Sequence, residues 1–84
     1  MTHTYKTNGV CCKSVHFELT EDNKVHNVTF EGGCNGNTQG IGALVEGMDA
    51  EDAVTRMTGI TCGPRHTSCP DQLAKALQSA LQSL

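Results

Sequence analysis

Five cysteines in 84 residues, at positions 11, 12, 34, 62 and 69, offer the most chemistry in this chain. Cys11, Cys34, Cys62 and Cys69 each fall in a turn or at an element end: after Asn8-Gly9, in Gly32-Gly33-Cys34-Asn35, in Thr61-Cys62-Gly63 and in Ser68-Cys69-Pro70. Cysteines acting as small core hydrophobes occupy the apolar phase of a strand or helix, whereas metal ligands come from loops whose ends converge. The intervening stretches of 22, 27 and 6 residues differ from a paired CxxC zinc knuckle, so local context carries more than spacing does. Cys34 and Cys69 both precede helical patterns, where unpaired N–H groups and the helix dipole stabilise a thiolate. Three chemistries stay open on this basis: one zinc ion or iron–sulfur cluster held by four thiolates, a redox or disulfide role, and reduced structural thiols. An all-sulfur donor set argues against calcium or magnesium. Neighbours in an extended chain point in opposite directions, so Cys11 and Cys12 do not both reach one site, and Cys12 reads as the spare.

The remaining polar residues offer less. His66, three residues before Cys69 and beside Arg65, is the one histidine placed to sit at the mouth of a cysteine site as a ligand or proton carrier. His16 belongs to the solvent phase of a strand, His26 reads as a packed or hydrogen-bonded ring on a sheet face, and His3 as part of a frayed terminus. Asp71 reads as helix-start chemistry, and Asp49, Glu51 and Asp52 as a solvated face without an acid–base partner. The glycine-rich turn at Gly32-Gly33 lacks the Lys and Ser or Thr of a phosphate-gripping loop.

Composition bounds the frame that must position these groups. One small domain over residues 1–84 is expected, with one Tyr, two Phe and no Trp, and a core thin enough to need a metal, a disulfide or a partner chain. The formal charge is -3, and residues 21–52 hold seven acids against Lys24 alone, which disfavours direct binding of nucleic acid or an anionic membrane. There is no apolar run of membrane-span length and no signal-peptide segment, so a cytoplasmic protein is expected. In a reducing compartment thiols serve more often as metal ligands or redox groups than as structural disulfides.

The pattern of the chain is α+β, with strand-like alternation before Cys34 and helical spacing after it. A short strand over 5–7 precedes a strand with Val15, Phe17 and Leu19 facing inward; a polar turn over 21–24 leads into a third over 25–30, with His26, Val28 and Phe30 on one face. Ile41, Leu44, Val45 and Met48 recur at helical spacing, predicting a helix from about 38 to 46. Gly40 and Gly42 inside it suit a helix passing close to backbone or to a bound group. Asp49 caps a second short helix that turns Ala53, Val54 and Met57 inward and stops at Gly59. A last helix starts with Cys69 at the N-cap and Pro70 at the first helical position, and lines Leu73, Leu77, Ala80, Leu81 and Leu84 along one side. Two or three antiparallel strands covered on one face by two or three helices result, with the other sheet face thinly covered.

The stretch Thr67-Ser68-Cys69-Pro70-Asp71 resembles the motif that names the TSCPD domain family of small four-cysteine proteins, a domain also associated with the C-terminal region of adenosylcobalamin-dependent ribonucleotide reductases. The likeness extends through Gly9–Cys11, Glu31–Ile41, Leu44–Met48, Gly59–Gly63 and Thr67–Leu77. This resemblance selects Cys11, Cys34, Cys62 and Cys69 as the metal-binding set and leaves Cys12 outside it. It implies an accessory role beside a reductase in DNA biosynthesis, because 84 residues cannot build the barrel, radical site and cobalamin pocket of a complete enzyme. A fainter similarity to U-type iron–sulfur assembly scaffolds matches Cys11, Cys34 and Cys69 to their three cysteines and implies a scaffold-like fold. Lys13 stands where those scaffolds carry Asp, and Ser68 where they carry His. Cys62 as a fourth ligand would make the site all-thiolate and more inert, favouring structural zinc or a retained cluster over cluster transfer.

The expected function is a small metal-binding accessory domain that works with a protein partner, a ribonucleotide reductase or an iron–sulfur protein, and no catalytic residue is assigned. The alternatives are a thiol redox component of ribonucleotide reduction, an iron–sulfur carrier, and a metal-free interaction module. A homodimer through the thinly covered sheet face or the last helix is compatible with the pattern.

Overall fold

The structure, a computed structural model, describes residues 2–7, 12–32, 35–61, 63 and 66–82. Three strands, β1 (Thr2–Lys6), β2 (Cys12–Leu19) and β3 (Val25–Gly32), precede three helices, α1 (Asn35–Val45), α2 (Ala50–Met57) and α3 (Cys69–Gln82). The strands form one antiparallel sheet in the order β1-β2-β3. The α+β architecture expected from the pattern is therefore present, with β1 longer than expected. His3 is part of that strand; its ring stacks on Phe17 with centroids 5.2 Å apart. A cross-strand aromatic contact thus orders a position that composition alone reads as frayed.

Two register shifts shape the β2–β3 pair. On β3 an extra residue falls where His16 and Glu18 of β2 face Thr29 and His26, and Asn27 there adopts φ 56°. The bulge changes the phase of the strand, so Val25 is buried beside Leu19, and Val28 and Phe30 pack on the same core. His26 therefore does not share a face with Val28 and Phe30, contrary to simple alternation: it lies opposite Glu18, and its Nδ1 is 2.5 Å from a carboxylate oxygen of Glu46. The second shift, between Cys12 and Ser14, places an extra residue on β2 at the end of the hairpin where Cys12 faces Gly32.

The helices lie over the inward face, where Val15, Phe17, Leu19 and Val25 meet Leu73, Leu77 and the alanines of α2 and α3. α1 runs from Asn35, three residues earlier than its apolar spacing indicates, and packs on β3. A Cβ at Gly42 would stand 2.9 Å from the Val28 carbonyl oxygen, whereas Gly40 faces open space. Close approach to backbone thus explains one of the two mid-helix glycines. Beyond α1 the chain joins the edge of the sheet: the Gly47 N–H donates to the Val25 carbonyl and the Val25 N–H to that of Met48. Asp49 takes the N-cap position of α2 without a side-chain cap bond, and Gly59, with φ 87°, follows the helix end.

The opposite face of the sheet carries polar groups. Thr2 donates to Glu18, Ser14 to Glu31, and Thr4 is hydrogen-bonded to His16 at 3.0 Å. No described helix is long and apolar enough to cross a membrane.

Candidate metal centre

Cys69 opens α3 as its first helical residue. The N-cap is one residue earlier than the Pro70 signal suggests: the Asp71 N–H donates to Ser68 Oγ at 3.1 Å and the Gln72 N–H to the Ser68 carbonyl at 2.8 Å. A serine hydroxyl accepts a helix N–H better than a thiol does, which moves Cys69 inside the helix and Pro70 to the second position.

The same motif holds the preceding loop. Ser68 Oγ donates to the Ile60 carbonyl at 2.6 Å. The Asp71 carboxylate accepts the Gly59 N–H at 2.8 Å and the Thr67 hydroxyl at 2.5 Å, while the Gln72 amide donates to Thr67 Oγ1 at 2.9 Å. Lys75 stands 3.6 Å from the same carboxylate. Asp71 is 3% exposed. Burial alone would raise its pKa, but the hydrogen bonds from Thr67 and Gly59 and the charge of Lys75 outweigh it and hold the carboxyl below its ordinary value. Asp71 is thus a latch between the end of α2 and the start of α3, a wider role than a helix-start charge. Sequence shows Asp near Thr67 but carries no signal for a partner twelve residues upstream at Gly59.

Cys12 is the residue that sequence reasoning set aside. Strict alternation from Val15 would turn Cys12 outward; the register shift between Cys12 and Ser14 instead buries it to 3% exposure, with Lys13 exposed. The Cys69 thiol donates to Cys12 Sγ at 2.8 Å, and Thr7 Oγ1 donates to the Cys12 carbonyl at 2.6 Å. Bulges leave little trace in composition, so nothing in the sequence marks this contact.

Of the four expected ligands, Cys69 is in place at the start of α3, and Cys11, Cys34 and Cys62 lie outside the described residues. Described residues close to them in sequence make two sets of contacts around the start of α3. Cys12, next to Cys11, touches Cys69 and faces Gly32, two residues before Cys34. Ser68, next to Cys69, is bonded to Ile60, two residues before Cys62. His66 is exposed, and among the described residues no three His, Cys, Asp or Glu side chains gather as a metal site.

The family model described as the TSCPD domain matches residues 2–81. No curated protein and no solved structure matches the chain at a significant level.

Proposed function

The chain belongs to the TSCPD domain family, and on that premise we propose that it is a small accessory domain holding one metal centre, zinc or an iron–sulfur cluster, through Cys11, Cys34, Cys62 and Cys69. The observation that carries this reading is the contact of Cys69 with Cys12, the neighbour of Cys11 and cross-strand partner of Gly32, beside the Ser68–Ile60 bond. Gly32 precedes Cys34 by two residues and Ile60 precedes Cys62 by two, so both contacts belong to segments that carry an expected ligand. The donor set fits a sulfur-loving centre. Bound there, zinc would supply a closed structural crosslink, and a cluster would add electron transfer.

Each part of the chain has a task toward that centre. The Asp71 latch and the Ser68–Ile60 bond tie the loop carrying Cys62 to the helix start carrying Cys69. The β2–β3 pairing at Cys12 and Gly32 holds together the strand ends from which Cys11 and Cys34 extend. A domain with this thin a core gains from such a crosslink and serves a larger protein, a ribonucleotide reductase or an iron–sulfur protein, as its partner.

Zinc titration of the reduced, metal-free chain against a chromogenic chelator tests this. One equivalent should bind to the parent chain and to Cys12→Ser, and affinity should fall at least tenfold in Cys69→Ser. Equal affinity in parent and Cys69→Ser would refute the assignment.

A further inference from the structure

The contact between Cys12 and Cys69 is not used by the metal centre, yet it joins two thiols from the ends of the domain's two halves. Cys69 is partly exposed at the start of α3, and Cys12 is buried behind it at the start of β2. Their sulfurs are 2.8 Å apart, less than 1 Å beyond a disulfide bond of about 2.05 Å. The arrangement has the two parts of a peroxide-responsive pair: an accessible sulfur that an oxidant can reach and a second sulfur already in contact to resolve the product.

We propose that Cys12 and Cys69 form a reversible disulfide in response to a hydroperoxide. The Cys69 thiolate attacks a peroxide oxygen, the O–O bond breaks, and hydroxide leaves, giving a sulfenic acid at Cys69. The Cys12 thiol then gives up its proton and its sulfur attacks that of Cys69. The S–O bond breaks, the departing hydroxide takes the proton, and water is released. Two thiols are oxidised by two electrons in all, and hydrogen peroxide is reduced to two waters. A dithiol reverses the step by thiol–disulfide exchange. The pairing stands independently of the metal reading; its consequence, withdrawal of Cys69 from the ligand set, rests on that reading.

Trypsin makes the pair readable, because residues 7–13 and 66–75 fall in separate peptides and neither contains Cys34 or Cys62. The reduced, metal-free full chain is treated with hydrogen peroxide, its remaining thiols are alkylated, and the digest is analysed by mass spectrometry. A link between the two peptides is expected, with fragment ions assigning it to Cys12, loss after dithiothreitol, retention in Cys11→Ser and absence from Cys12→Ser. Assignment of the link to Cys11 would overturn the proposal, as would Cys69 paired with Cys34 or Cys62 or carried through to sulfinic acid. Wild-type fragment ions decide the point even where a variant misfolds. Metal content of the reduced chain is measured separately: a chain that forms the link but binds no metal keeps the pair and loses the metal centre. One that binds metal without forming the link loses the pair alone.

Discussion

Asp71 shows how a single side chain can join a loop to the start of a helix. Its carboxylate ties Gly59 and Thr67 together around the loop that contains Cys62. Asp71→Ala would leave a partly buried N–H and a buried hydroxyl without their charged acceptor, at a cost of about 2 kcal/mol. A chain of this size should then melt roughly 10 °C lower, as calorimetry would show. The pH dependence has a definite sign. A carboxyl whose folded pKa lies below its unfolded value, about 3.9, stabilises the fold fully above that value and loses the contribution as pH falls through the lowered folded value. Acid titration of stability should therefore be less steep in Asp71→Asn than in the parent below about pH 4. Sequence placed Asp71 at a helix start but could not extend it to Gly59, because that bond depends on how the loop folds back. The same limit applies to Cys12, where an unforeseen bulge decides which side of the strand faces the core.

At the scale of elements, periodicity was a good guide wherever burial sets the pattern. Val15, Phe17 and Leu19 are buried as their alternation requires, and Ala53 and Met57 as their helical spacing requires. It was a poor guide where one residue breaks the phase, as Asn27 does on β3, or where a helix begins without apolar residues, as α1 does at Asn35. The two mid-helix glycines separate propensity from packing. Gly40→Ala adds a methyl group into open space and should raise stability by up to about 1 kcal/mol. Gly42→Ala drives its methyl against the Val28 carbonyl and should lower stability by about 1–3 kcal/mol despite the same gain in propensity. Urea denaturation of the two variants should give midpoints displaced in opposite directions; a shift of both upward would contradict the close packing of α1 on β3.

At the scale of the molecule, the sheet and helices share a core whose largest fully buried side chains are Phe17, Leu73 and Leu77. Such a core leaves room for a bound metal to contribute to folding. If free zinc stands at one hundred times its dissociation constant, mass action adds about 2.7 kcal/mol, equivalent to roughly 10–20 °C in a domain of this size. Stripping the metal with a chelator should lower the melting temperature by that order, and adding zinc back should restore it; the chelator should lower that of Cys69→Ser by less than that of the parent. Cysteines in turns and the family motif suggested the proposed ligand set, of which Cys69 alone is among the described residues. The latch, the bulge and the Cys12–Cys69 contact were not legible in the sequence, since each depends on residues brought together from distant parts of the chain.

The central claim is that four thiolates of this domain hold one metal centre. Elemental analysis combined with a UV-visible spectrum, on protein purified without oxygen, tests it most directly. About one zinc per chain with no visible band, or iron with matching sulfide and a charge-transfer band, is expected. Protein free of both metals, with all five thiols open to titration, would contradict it.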